Sequence, residues 1–166
     1  MQLMKNKLIY SVLCMVAVFL GQAKPLVAQG FDKESFYSAM ASGNMEQIND
    51  ELAVVRAASF HEKDAYEGAL LMRKSGLLKK AQEKLNAFKA GRIKFEAALQ
   101  DDGDNPEYRF LRLSIQEHAP RVVKYYKELE KDSQFIKKAY KNLSPVVQKA
   151  ILDYSKTSKV LRQEDL

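Results

Sequence analysis

The sequence predicts an all-α fold, a compact array of about seven antiparallel helices that follows a cleaved signal peptide. Three observations support this prediction. Apolar residues recur at helical spacing over most of the chain after residue 30. Glycine and proline are scarce, with 7 and 4 among 166 residues, and no segment there alternates apolar and polar residues as a β-strand does. Short connections between such helices favour antiparallel neighbours.

The first 28 residues have the pattern of a secretory signal peptide. Lys5 and Lys7 precede a run of 13 uncharged, mostly apolar residues, 8–20, and the small residue Ala28 offers a cleavage point. The run is shorter than the roughly 20 residues that a membrane-spanning helix needs. We therefore expect cleavage after Ala28, a periplasmic or secreted protein, and no transmembrane anchor in the mature chain.

Cleavage would also change the composition. Cys14 is the single cysteine, so its removal excludes disulfides and thiol chemistry from the mature chain. The formal charge falls from +6 to +3, because three lysines and no acidic residue are lost. Nucleic-acid-binding domains are more basic than this. We expect one α-helical domain over residues 29–158, a frayed tail over residues 159–166, and no nucleic-acid partner.

The first three helices follow from capping signals. A short helix ends at Gly43, and Asn44 is the N-cap of a second helix. Ser59 and Glu62 form the S-x-x-E capping box of a third helix, which is expected to stop near Gly76.

Later helices are separated by a loop and by prolines. Residues 77–99 indicate one long helix, or two that bend at Gly91. The acidic loop 101–105 precedes a helix that starts at Pro106 and ends near His118, because proline is favoured in the first helical position. Three further helices are expected from the apolar residues within 122–129, 135–143 and 145–154.

One joint resembles a known repeat family. Gly91, Phe95 and Ala98, followed by Asn105-Pro106 and Tyr108, resemble the second helix of a tetratricopeptide (TPR) repeat running into the next repeat. In that family a small residue, an aromatic residue and an alanine at this spacing let two helices pack closely. The resemblance covers Gly91 to Tyr108 and implies a TPR-like helical array. The order of segments is also similar to that of small exported helical proteins of Gram-negative bacteria, which implies no activity.

The helix 106–118 is expected to be central in the fold. Tyr108, Leu111 and Ile115 form one apolar face, and Phe110 and Leu113 lie on the other side. A polar stripe runs between the two faces, and with Tyr108 it makes a candidate partner-binding site: Tyr108, Arg109, Arg112 and Gln116.

Two interpretations of this stripe remain open. Buried arginines need partners, because an unpaired buried charge is costly. They pair inside the fold with acids such as Glu67, Glu96 or Glu117, or they lie in a groove and grip a carboxylate or phosphate of a ligand.

Basic residues recur near the C-terminus and form a candidate surface for anionic partners. They are Arg121, Lys124, Lys127, Lys137, Lys138 and Lys141. Such a surface suits anionic lipid headgroups or polysaccharide. A solvated helix face with salt bridges gives the same pattern.

The sequence lacks the patterns of catalysis and of metal binding. It has no nucleophile elbow, no phosphate-binding loop and no HExxH motif. His61 and His118 have no histidine or cysteine at ligand spacing, and His118 is expected to be a partly buried core residue. The loop 101–105 has its glycine at the third position, unlike an EF-hand. We expect no metal, no cofactor and no enzymatic activity.

The sequence therefore favours an exported, non-enzymatic binding or scaffold protein that acts through a TPR-like groove. Its expected partner is another protein of the cell envelope. The alternative is an accessory protein that binds anionic lipid or polysaccharide through its basic C-terminal helices.

Overall fold

The computed structural model describes residues 30–166, and this part of the chain is all-α, as predicted. It contains no strand and seven α-helices: α1 Lys33–Ser42, α2 Met45–Ala57, α3 Lys63–Leu77, α4 Ala81–Asp101, α5 Pro106–His118, α6 Leu129–Ala139 and α7 Pro145–Ser155. Short 3-10 turns lie at Arg121–Val123, Tyr140–Asn142 and Gln163–Asp165. The predicted signal peptide, with Cys14, lies outside the described residues.

Side-chain caps fix several helix boundaries where the sequence predicts them. Gly43 has a φ of 63° and ends α1 in the left-handed region, which glycine adopts at little cost. The Asn44 side chain then accepts hydrogen bonds from the backbone N–H groups of Glu46 and Gln47. Asn105 caps α5 in the same way, with Pro106 in the first turn. These two N-caps are confirmed.

Two predicted helical features are wrong. Glu62 makes no side-chain capping bond, Ser59 is exposed, and α3 begins at Lys63, so there is no capping box. The helix predicted within residues 122–129 is absent, because no α-helix covers residues 122–128 and α6 begins at Leu129. A 3-10 turn ends at Lys124, whose φ of 49° is left-handed, and a side chain at such a position interrupts a right-handed helix.

Helices α3 and α4 form the closest pair because two glycines face each other. A Cβ atom on Gly68 would lie 2.7 Å from the Gly91 carbonyl oxygen, and one on Gly91 would lie 2.6 Å from the Gly68 oxygen. The two backbones are therefore in direct contact. Helix α4 is the longest, with 21 residues, and is continuous through Gly91. None of the helices in residues 30–166 is long and apolar enough to cross a bilayer.

Helix α5 lies between two hydrophobic clusters, as its two apolar faces predict. Leu111 and Ile115 belong to the first cluster, which α1 to α5 build around Phe36, Tyr66 and Phe95. Residues on the other side of α5 join the second cluster with α6, α7 and the C-terminal residues: Phe110, Leu113, Ile136, Val147, Ile151 and Leu161.

Several of the C-terminal residues 159–166, for which the sequence predicts a frayed tail, contact the rest of the fold. Leu161 is 0% exposed. The Ser133 hydroxyl donates to the Val160 carbonyl oxygen at 2.7 Å, and Lys137 pairs with Asp165 at 2.8 Å. The second cluster is small, and the tail supplies one of its central side chains.

Candidate functional site

The described part of the chain contains a groove of about 970 Å³, which is lined by α1, α3, α5 and α7 and by Phe88 of α4. Protein sites for ligands have volumes of about 300–1,000 Å³ and mostly apolar linings. The lining here is largely apolar and comes from all five of these helices: Met40, Met72, Phe88, Phe110, Leu111, Ile115, Val146, Ala150 and Tyr154.

Helix α5 contributes the floor of the groove because both of its apolar sides border it. Tyr154 of α7 packs edge-on against Phe110, with ring centroids 5.6 Å apart, and its hydroxyl donates to Glu117 at 2.6 Å. Burial opposes ionisation of Glu117, but hydrogen bonds from Tyr154, the Lys159 N–H and Ser158 outweigh it, so the Glu117 pKa is lowered. The Tyr154 ring is thus held in place by a charged acceptor.

The buried carboxylate of Glu107 positions Tyr37, which lines the groove. Glu107 accepts from the hydroxyls of Tyr37 and Tyr66 at 3.0 and 2.7 Å, and it pairs with Lys33 at 2.6 Å. Burial and the nearby Glu107 charge raise the pKa of Tyr37. Both tyrosines are therefore protonated donors near neutral pH and not nucleophiles.

The rim of the groove carries charges of both signs, from Glu34, Arg73, Lys149 and Asp153. Arg73 donates through Nε to the Met40 carbonyl oxygen at 2.8 Å. Hydrogen bonds from Lys149 and Lys156 lower the pKa of Asp153 to about 2. A rim of mixed sign around an apolar floor suits a partner that has both apolar side chains and polar groups.

His118 also lines the groove and is exposed, so its expected place in the core is wrong. It lies on the same side of α5 as Leu111 and Ile115, as its spacing indicates, but at the end of the helix, where the cluster stops. Its Nδ1 lies 3.0 Å from the Ser114 carbonyl oxygen. Its ring packs edge-on near Tyr154, with centroids 6.0 Å apart.

The structure places the four predicted partner-binding residues away from the groove. Tyr108 is buried in the first cluster. Gln116 is buried, and its side-chain oxygen accepts from the Glu128 N–H at 3.2 Å. Arg109 and Arg112 face α6. Partner binding at these residues stays a prediction, and each of them has an internal contact.

Asp132 is the acid that pairs with both arginines. It is 0% exposed, and it accepts from Arg112 Nε and Nη2 at 2.6 and 2.7 Å and from Arg109 Nη1 at 3.2 Å. Burial favours the neutral form of Arg112, but the bonds to Asp132 outweigh burial and raise its pKa. Internal pairing is therefore observed, with Asp132 as the partner.

The acids suggested by the sequence have other roles. Glu67 pairs with Arg56 and Lys94, and Glu96 accepts from the Tyr125 hydroxyl. Asp132 lies 20 residues beyond Arg112. The pair forms only when α6 packs against α5. Residues this far apart have no sequence spacing that predicts their contact.

The six basic residues of the second predicted site form two groups. Arg121, Lys124 and Lys127 are exposed in the connection before α6. The other three, Lys137, Lys138 and Lys141, lie at or after the end of α6. At 1.5 Å per residue, α6 separates the groups by about 14 Å along its axis. Lys137 is held by Asp165.

Residues 30–166 contain no cluster of three or more histidine, cysteine, aspartate or glutamate side chains that could hold a metal ion. In the acidic loop, Asn105 caps α5 and donates to Asp102 at 2.9 Å. Comparison of the chain with protein-family models, curated proteins and solved structures gave no match.

Proposed function

We propose that this chain is an exported, non-enzymatic binding protein whose groove holds an apolar segment of another cell-envelope protein. The groove itself is the observation that carries the proposal. Five helices contribute to it, aromatic and methionine side chains line it, and its volume is about 970 Å³. Methionine adapts to partners of different shape, and a rim of both signs matches the mixed polarity of a peptide.

The TPR-like part of the proposal rests on the helix arrangement. Helices α3 and α4 form a tight pair at Gly68 and Gly91, and α5 packs against α3. Phe95 and Tyr108 approach with ring centroids 6.5 Å apart. In TPR-like arrays, stacking of such pairs creates a binding groove. Export rests on the pattern of residues 1–28.

The groove can be tested by filling it. Ala150 lines it, whereas Ala97 is exposed on α4 and is not among the lining residues. The A150F variant is expected to lose a partner that the parent protein and the matched A97F variant both retain. The measurement is quantitative affinity capture from the periplasmic fraction with mass spectrometry, followed by titration with a synthetic peptide of the partner.

Three results would contradict the proposal. Equal capture by A150F and A97F would place the binding surface elsewhere. A lipid bound to the native protein and displaced by A150F would replace the protein partner with a lipid. A mature N-terminus other than one near Gln29 would remove the argument for export.

A further inference from the structure

The connection between α5 and α6 carries two of the most exposed apolar side chains among the described residues. The segment Arg121–Lys127 reads Arg-Val-Val-Lys-Tyr-Tyr-Lys, and we call it the basic segment. Val122 is 85% exposed and Tyr126 is 47% exposed. Isolated exposed apolar residues need no explanation, but these two lie among three basic residues.

The basic segment is anchored by the residues between the exposed ones. Tyr125 is buried, and its hydroxyl donates to Glu96. The guanidinium of Arg92 lies over its ring, 4.9 Å from the centroid, and Phe88 meets it edge-on at 5.7 Å. Val123 packs against the first cluster. Because Val123 and Tyr125 are held by the protein, their neighbours Val122 and Tyr126 stand in solvent.

Both ends of the segment are also held. At its start, the Lys124 N–H donates to the Arg121 carbonyl oxygen at 3.0 Å. Just after its end, the Glu128 N–H donates to the buried Gln116 side chain at 3.2 Å. A segment whose conformation is already fixed loses little conformational entropy when it binds.

The charge of the segment is uncompensated within the described residues. Arg121, Lys124 and Lys127 are exposed, and none of the ion pairs in residues 30–166 includes them. The adjacent acid, Glu128, is paired with Lys131 at 3.9 Å. The surface is thus positive and apolar at once.

We propose that the basic segment docks on an anionic lipid surface. Val122 and Tyr126 enter the interface between headgroups and acyl chains, and the three basic residues contact the headgroups. Tyrosine favours this interface, and basic residues beside apolar ones are typical of surface-bound proteins. An anionic polysaccharide would match the charges but offers no apolar medium for Val122. Lys137, Lys138 and Lys141 do not contribute, because α6 separates them from the segment.

The test is co-sedimentation of the processed protein with phosphatidylcholine vesicles, with and without phosphatidylglycerol. The protein is purified after export, and its N-terminus is verified by mass spectrometry. Two variants alter the segment: V122S/Y126S keeps the charge, and R121Q/K124Q/K127Q keeps the apolar residues. The matched control K138Q/K141Q/K159Q removes the same number of exposed positive charges elsewhere. All of these positions are exposed, and substitution of the Lys159 side chain leaves the hydrogen bond from its backbone N–H to Glu117 intact.

We expect the parent protein to bind only the anionic vesicles. Each basic residue contributes a factor of about five near such a surface, so the segment triple variant should bind about a hundredfold more weakly. Loss of Val122 and Tyr126 should weaken binding about tenfold, and the control should bind within about threefold of the parent protein.

Several outcomes would overturn this inference. These are equal binding to neutral vesicles, unchanged binding of V122S/Y126S, and an equal loss in the control triple variant. Binding of V122S/Y126S and the parent protein to soluble polygalacturonate with equal affinity, together with no vesicle binding, would identify a polymer ligand. The A150F variant should bind vesicles like the parent protein, so failure of the groove proposal is distinguishable from failure of this one.

Discussion

Asp132 is the residue on which the contact between α5 and α6 depends. Its carboxylate is 0% exposed and holds two arginines that are themselves nearly buried. Removal of one partner from a buried ion pair leaves the other charge uncompensated, at a cost of about 3–5 kcal/mol. We therefore expect Asp132→Asn to lower the free energy of unfolding by that amount, measured by urea denaturation.

Asp153→Asn is the matched control for this substitution. Asp153 also has two basic partners, Lys149 and Lys156, but all three side chains are substantially exposed. Exposed pairs contribute little, so the urea midpoint of the control should not change. If the two substitutions lowered the free energy of unfolding equally, burial of Asp132 would not explain how much its ion pairs stabilise the fold.

Glu51 presents the opposite case, a buried carboxylate with an oxygen that has no hydrogen-bond partner among the described residues. Burial, and then the charge of Asp32, raise the Glu51 pKa above its ordinary 4.5. The folded state therefore retains this proton to a higher pH than the unfolded state, and stability falls as pH rises from 4.5 through the raised pKa.

Glu51→Gln removes the cost of ionising a buried carboxyl group and keeps a side chain of nearly the same volume. We expect the variant to be more stable than the parent protein at pH 7 and equally stable well below pH 4.5, where Glu51 is protonated in both states. Thermal unfolding across this pH range measures the difference. Glu46→Gln, an exposed change on the same helix, should show no such trend. A stability gain that is independent of pH would contradict the assignment to ionisation.

How far the sequence predicts these residues depends on the range of the contact. Asn44 and Asn105 were identifiable because a cap bonds to N–H groups two and three residues later. Asp132 was not identifiable, since it meets its arginines only after α6 folds back. The groove was predicted only as a feature of a helical array, and its lining from α1 and α7 depends on the tertiary arrangement.

At the scale of the elements, the α3–α4 pair depends on the absence of side chains at its crossing point. A Cβ atom on Gly91 would lie 2.6 Å from the Gly68 oxygen, 2.8 Å from the Met72 nitrogen and 2.9 Å from the Leu71 Cβ. Backbone atoms cannot move aside as a flexible side chain can. Gly91→Ala should therefore separate the helices and cost about 1–3 kcal/mol.

Gly76→Ala gives the control for the same chemical change. Gly76 lies in the last turn of α3, is exposed, and has nothing within 4 Å of the added atom. Alanine is the better helix former, so this variant should be more stable by up to about 1 kcal/mol. Chemical denaturation of both variants measures whether each substitution raises or lowers the free energy of unfolding. A stabilised G91A variant would refute direct backbone contact between α3 and α4.

The sequence identified Gly91 as a packing residue but not its partner. Counting back one TPR repeat length leads to residues at the end of α3, in the turn after it and at the start of α4: Ser75, Leu78, Lys79 and Gln82. The observed partner, Gly68, lies 23 residues before Gly91. Because α3 and α4 are both long, the contact between Gly68 and Gly91 lies farther from the turn between these helices than it would in a TPR repeat.

At the scale of the whole molecule, the groove and the basic segment are adjacent. Ala119 and Pro120 line the groove and directly precede Arg121. A protein docked through the basic segment would hold one end of its groove close to the membrane surface. This arrangement relates the two proposals, because a partner in the groove would then lie close to the same surface.

The two hydrophobic clusters share helix α5 and are expected to unfold together. Leu161 is fully buried in the second cluster, and Leu52 is buried in the first. Helix α5 contributes Leu113 to the second cluster and Leu111 to the first, so loss of either cluster exposes one face of the same helix. We therefore expect one cooperative unfolding transition for residues 30–166.

Leu161→Ala tests this coupling from the end of the chain that the sequence predicts to be frayed. Removal of a buried leucine side chain should cost about 2–5 kcal/mol. If the clusters form one unit, the slowest-exchanging amides of α2 should lose the same free energy of protection in native-state hydrogen exchange. Lys159→Ala, at an exposed side chain nearby, should change neither quantity. If hydrogen-exchange protection fell in α7 and stayed unchanged in α2, the two clusters would unfold independently. Destabilising the second cluster would then not destabilise the first.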